Sequence, residues 1–425
     1  MSHDDIAIDI RSMLERAEPH VTDECCIYRV PFGIRRLNED AYTPKVVSIG
    51  PFHHNSHPRL QSMENYKLHY CKTFLARTQR SLDDWICYIE EIELPFRRCY
   101  SDPLEFSKED LVKIIFVDSG FIIELFWKCY YDELAKDDMF IRNPWLFTNI
   151  KLDLLLLENQ LPFFVLDSLF NSCISSPSSI IPSFIELTFE YFADFNRSNL
   201  LYDNVRIRHF TDLIRTFHLR SEPGPPRHLE LVKHLPSATD LLEVGVRFRA
   251  KVKSTCLLDL NFSKGVLEIP QLIVEYWTEP LFRNMIALEQ CHYPFESYIT
   301  DYANVMDFLV NTSTDVDILI KTEVLVNRLG DTIPVANMFN GLLNNITQTS
   351  GNPSYLAICR ELNAFYRNPY QHLKWTLRRD YFRTPWQTAV NIGGIFLLIL
   401  TLVQSVCSVL QVIQQFGVNP IILKC

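Results

Sequence analysis

The sequence predicts a mainly α-helical soluble domain with a small β element over residues 1–385, then one C-terminal transmembrane helix over 386–416 and a short tail, 417–425. Three observations carry this prediction. Apolar residues recur at three-to-four spacing in capped segments along most of the chain. Stretches with strand character are few and short. One run, Ile392 to Ile413, contains no charged residue.

Taken in order, "CIYRV" (26–30) and "KVVSI" (45–49) are β-branched, stop at a proline and read as strands. "HPRLQSMENYKLHYCKTFLART" (57–78) repeats apolar residues through Leu60, Met63, Tyr66, Leu68, Tyr70 and Phe74, a helical period. "FSKEDLVKIIFVDSGFIIELFW" (106–127) opens with Ser107 and Asp110 at capping-box spacing and is apolar enough for a buried helix. "PSATDLLEVG" repeats that device with Ser237 and Asp240. Further helices are predicted near 181–195, 204–219, 280–291, 297–310, 314–329, 332–346 and 353–380. A hairpin alternates through Leu258, Leu260 and Phe262, turns at Ser263-Lys264-Gly265 and resumes at Val266, Leu267 and Ile269. Loops fall at 172–179 and 221–228; the loop near 221–236 is a candidate boundary between two lobes.

Composition excludes several function classes. A net charge of −10 and the lack of a basic stripe argue against nucleic acid as a partner. Glycine is scarce, 12 in 425 residues, and only Gly393-Gly394 are adjacent. Phosphate-cradling loops need clustered glycines, so a nucleotide-dependent enzyme is disfavoured. The 12 cysteines form no C-x-x-C pair and read as free thiols in a reducing compartment. The acidic start, "MSHDDIAIDIRSML", is no signal peptide, and sequons at Asn196, Asn311 and Asn345 carry no topological weight.

The uncharged run covers 22 residues. As a helix it is roughly 33 Å long, enough for a hydrocarbon core of about 30 Å. Trp386 stands where an interfacial anchor belongs, and Ile392, Leu398, Leu402 and Ile413 supply apolar surface along the span. Lys374, Arg378, Arg379 and Arg383 precede it, whereas only Lys424 follows. The positive-inside rule then places the large domain in the cytosol, in the manner of a tail-anchored protein.

Two clusters are candidate sites. His53, His54 and His57 could ligate a metal, with distant help from Glu64 or His69. Adjacent histidines in extended chain point in different directions, however, and no familiar ligand pattern lies nearby. They read as structural, ending a strand at Gly50-Pro51, with no metal or cofactor assigned. Glu158, Asn159 and Gln160 interrupt the very apolar "LLLLENQLPFF". They either line a pocket or cap backbone groups where one helix stops and Pro162 begins another; the second reading is preferred. "VDSGF" around Ser119 lacks the glycine of a nucleophile elbow, and no catalytic residue is assigned. Glu90-Glu91 and Asp137-Asp138 read as solvated faces.

The stretches "IYRVP", "PKVVSIGPFHH", "MENYKLHY", "DLLLLENQLPFFVL", "PSATDLLEVGVRFR", "VLEIPQLIVEYWTEPLFRNMIALEQC" and "LRRDYFRTPW" occur in that order. Together they resemble the plant family catalogued as domain of unknown function 247. Asn55 stands where the resemblance leads one to expect glycine. The resemblance implies a mostly helical plant protein with one C-terminal membrane helix and no established reaction. The leading expectation is a single-pass, non-catalytic recognition or scaffold protein that binds other proteins. The alternative is a membrane-associated hydrolase or metal-dependent enzyme with an unfamiliar site.

Overall fold

The computed structural model describes residues 6–7, 10–12, 23–78, 80–136, 138–173, 181–219, 226–370 and 385–417. Helices Pro58–Arg77, Leu82–Arg98 and Lys108–Tyr130 pack together, and the third lies at the centre of the N-terminal half. It starts where Ser107 Oγ accepts the Asp110 N–H at 3.0 Å. Every residue from Asp118 to Phe126 is buried, as expected of a helix apolar on all faces. Gly120 lets the Pro58–Arg77 helix approach closely, since a Cβ there would meet Cys71 Sγ at 2.9 Å. Helices Phe163–Cys173 and Phe184–Tyr191 cover the other side, with Phe126 stacked on Tyr191 at 4.2 Å.

The C-terminal half stacks helices Thr278–Cys291, Tyr298–Leu309, Ser313–Lys321 and Thr332–Leu342 beside two small sheets. Strands β1 (Arg247–Lys251), β2 (Asn261–Ser263) and β3 (Val266–Pro270) form one sheet in the order β1-β3-β2. β2 and β3 are the expected hairpin, with Ser263 opposite Val266. Lys264 and Gly265 both have positive φ, the two-residue turn that matches strand twist. β1 pairs parallel to β3, a long-range contact that the local pattern does not reveal. β4 (Leu272–Val274) pairs parallel with β5 (Leu325–Asn327). One buried apolar cluster runs from Cys26 to Leu362.

Five segments differ from the expectation. Residues 45–49 form no strand, and 26–30 contribute only a single bridge, Ile27 to Tyr100. The predicted helix at 314–329 stops at Lys321; Glu323 turns left-handed at φ 58°, and β-branched Val324 and Val326 then lead through β5. The 204–219 segment is helical only from Phe210 to His218, after a 3₁₀ turn at Tyr202–Asn204. The Leu82–Arg98 helix has no counterpart in the sequence reading. Its Pro95 sits in the last turn, behind a Ser81–Asp84 capping box and a buried face of Trp85, Ile89 and Phe96.

Helix Pro353–Arg367 accounts for the first part of the 353–380 prediction; residues 371–380 lie outside the described residues, as do Lys374, Arg378, Arg379, Arg383 and Lys424. The C-terminal helix runs Pro385–Gly417, and within it Thr388–Gln414 is long and apolar enough to cross a membrane. Among its described residues no apolar side chain is buried. Trp386 is 78% exposed, and Ile392, Leu398, Leu402 and Ile413 are all more than half exposed.

Candidate functional site

The two polar clusters turn out to be parts of one structure. Residues 45–50 belong to no helix or strand, so their backbone N–H groups need acceptors elsewhere. Side chains provide them. The buried carboxylate of Asp153 accepts from the N–H groups of Lys45, Val46 and Val47 at 2.9, 2.6 and 2.9 Å. Asn159 Oδ1 accepts from Ile49 N–H at 2.7 Å, and its Nδ2 donates back to Val47 O at 3.0 Å and Asp153 O at 2.9 Å. Asp118 Oδ2 takes the Gly50 N–H at 2.7 Å. The next peptide turns because Gly50 has φ +71°, and a Cβ there would lie 2.4 Å from Gln160 O.

Residues 154–161 are all buried and lie between helices rather than in one. Gln160 Nε2 donates to Leu154 O and Leu156 O at 2.6 and 2.7 Å, while its Oε1 accepts from Phe210 N–H at 2.9 Å. Asn284 closes the far side, accepting from Leu157 N–H at 2.9 Å and donating to Ala41 O at 2.7 Å. Every polar atom of the Asn159 and Gln160 side chains is therefore bonded to backbone of this chain. Paired in this way, these groups do not incur the desolvation cost of about 1–3 kcal/mol that each unpaired polar group would carry.

The charged members are paired as well. Glu158 accepts from Val30 N–H at 2.8 Å and from Arg35 Nη1 at 2.6 Å. Burial acts to raise its pKa, but His53, Arg35 and the Val30 N–H hold it below the ordinary range. His53 Nε2 stands 3.3 Å from Glu158 Oε2 without hydrogen-bond alignment. Lys67, fully buried, donates to Ser48 O at 2.9 Å and to Asp118 at 2.5 Å, and pairs with Glu64 at 2.8 Å. Burial opposes its charge, yet the two carboxylates hold the ammonium above its usual range. His209 Nδ1 accepts the Asp212 N–H at 3.3 Å, leaving Nε2 to donate to Cys26 O at 3.0 Å; burial lowers its pKa to about 4. Asp153 moves the other way, raised by burial to about 6 against its three N–H donors.

The three histidines diverge. His53 faces Glu158, His54 lies edge-on to Phe106 at 6.0 Å, and exposed His57 precedes the Pro58–Arg77 helix. Among the described residues, no group of three or more His, Cys, Asp or Glu side chains is placed to hold a metal. Asn55 has φ 55°, the left-handed conformation in which glycine is easiest and asparagine tolerated. Ser119 is buried within its helix. Asp138, read from sequence as solvated, is largely buried and accepts from Tyr70 Oη, Lys128 Nζ and Phe140 N–H at 2.8, 2.8 and 3.0 Å.

That ion pair floors an open groove of about 970 Å³ along the Pro58–Arg77 helix, walled by Tyr66, His69, Tyr70, Phe140 and Met139. The sequence reading missed it. Tyr66 and Tyr70 appear there only as members of a helical period, while Phe140 arrives from a loop to meet Tyr66 edge-on at 4.2 Å.

Together these features define a helical domain locked around a buried polar knot and followed by one apolar helix long enough to cross a bilayer. A family model described as plant protein of unknown function, DUF247, matches residues 27–400, and the chain belongs to that family. A UPF0481 protein of Arabidopsis thaliana is 28% identical over 421 residues, covering 92% of this chain and 87% of the relative. A second UPF0481 protein of the same plant is 25% identical over 503 residues, covering 93% and 92%. No solved structure matches the chain.

Proposed function

We propose that the protein is a membrane-anchored, non-catalytic recognition or scaffold protein, with its large domain on the cytosolic side and a protein as partner. The observation that carries the recognition reading is the groove and its rim. Tyr66 is 46% exposed, Met139 84%, and Trp145, next in sequence to the groove-lining Leu146, 67%. Exposed aromatic and methionine side chains around a concavity are the composition of protein-binding surfaces. The anchor rests on the uncovered Thr388–Gln414 helix, and the cytosolic side rests on the basic residues preceding it.

Proximity labelling by the full-length protein in plant cells tests the first part. Changing Tyr66, Met139 and Trp145 to Ser should remove the principal labelled neighbours while leaving the circular dichroism spectrum and melting temperature in place. An unchanged neighbour set would end the groove reading. For sidedness, protease added to sealed vesicles with the cytosolic face outward should digest the large domain. Occupied glycans at Asn196, Asn311 or Asn345 would reverse it.

A further inference from the structure

We infer that the C-terminal helix associates in the membrane with the same helix of a second copy of this chain, through a stripe formed by Thr401, Gln404, Ser408 and Gln411. This rests on the reading of that helix as a membrane span. The four residues follow one another at intervals of three, four and three, the a/d spacing that keeps one seam on a helix facing a partner. Ile392, Ile399, Val406 and Ile413, each seven apart, occupy the opposite side and suit lipid.

The hydroxyls on or beside the stripe are satisfied within their own helix. Thr401 Oγ1 donates to Leu397 O at 2.5 Å, Ser405 Oγ to Thr401 O at 2.8 Å and Ser408 Oγ to Gln404 O at 2.8 Å. The two amides are not: among the described residues, neither the Gln404 nor the Gln411 side chain has a hydrogen-bond partner. In hydrocarbon no water can serve instead, so an amide on the lipid face is costly and a protein partner is favoured.

A second copy supplies that partner by symmetry. Two copies inserted with the same orientation are parallel, so Gln404 meets Gln404 and Gln411 meets Gln411 at equal depth. A carboxamide carries both donor and acceptor, so each pair can bond reciprocally. A charged residue at either position would repel its own copy, and an apolar one would give no preference.

The test uses full-length protein in native membranes, carrying Cys407→Ser and either Ser408→Cys on the stripe or Val406→Cys on the opposite side. Copper-phenanthroline oxidation should produce covalent dimers for the residue-408 variant well above the residue-406 variant. Adding Gln404→Leu and Gln411→Leu should lower the 408 yield about ten-fold, and Gln404→Asn with Gln411→Asn should restore much of it. Equal yields at 406 and 408, or a 408 yield indifferent to the leucines, would overturn the pairing. Alkaline carbonate washing of the same membranes separates the two failures. Release of the protein would refute the span itself, and with it the pairing, whereas retention without a 408-specific dimer refutes the pairing alone.

Discussion

Asn159 and Gln160 on one side, and Gln404 and Gln411 on the other, are the same chemistry in opposite circumstances. Each pair interrupts a run of apolar residues. In the domain every amide atom bonds to backbone of the same chain. In the C-terminal helix the amides face outward, with the apolar residues around them uncovered. The first pair holds a fold together; the second is left for a neighbour. An amide in an apolar run thus marks a place where a partner is required, and only the fold tells whether the chain already contains it.

The comparison breaks most visibly at Gly50. Gly50→Ala would drive a Cβ into the Gln160 carbonyl at a left-handed backbone position, so loss of soluble, folded protein is the expected outcome on expression. Asn159→Leu should come next. It strands the Ile49 N–H and the Val47 and Asp153 carbonyls, a loss of about 3–6 kcal/mol in chemical denaturation. Gln404→Leu, the matching change in the span, should leave the same unfolding curve in place.

The third effect is pH-dependent. His209 and His218 are buried, and burial lowers both pKa values to about 4. Unfolded histidine binds its proton near 6.5. Between roughly pH 6.5 and 4 the unfolded chain takes up protons that the folded chain refuses, so stability falls as pH falls through that window. Asp153, raised to about 6, acts oppositely, because there the folded chain keeps a proton that the unfolded chain has released. Among the described residues neither ring nitrogen of His218 has a partner, so His218→Phe removes its proton linkage without stranding another described group. Urea titrations at pH 7 and pH 4.5 should show a smaller acid loss in the variant, with a difference on the order of 2–3 kcal/mol. The same slope in both proteins would mean that His218 does not titrate in this way.

The smallest effect belongs to the span. Deleting residues 385–425 should leave the unfolding midpoint of the domain within about 0.5 kcal/mol of its original value, as for changes that uncover no core. Membrane fractionation should move the shortened protein to the soluble fraction.

What could be read locally was read well. The Pro58–Arg77 and Lys108–Tyr130 helices follow from side-chain period and a serine cap, and the hairpin from its turn at Lys264-Gly265. Segment 45–49 misled because β-branched residues specify extended backbone without specifying who satisfies it. Its acceptors, Asp153 and Asn159, lie more than a hundred residues away. Asn159 and Gln160 were visible as an interruption, whereas their bonding was not. Lys67 and Asp118 were hidden inside helical periods, where a charged residue reads as surface until the neighbouring helix covers it. The groove was least legible, since its walls come from a helix and an irregular loop joined only in three dimensions.

The contact between Gly50 and Gln160 also orders events during synthesis. The segment from Cys25 to His53 leaves the ribosome early, but its attachments come from far downstream: Glu158 for Val30, His292 for Tyr28 and Asn345 for Gly33. Such distant closures delay the settling of a segment, however early it is made. The first part of the domain to emerge is therefore among the last to lock. Until the later helices arrive, its apolar residues must be kept from other chains, and a nascent chain stalled before residue 160 should be a strong client for holdase chaperones.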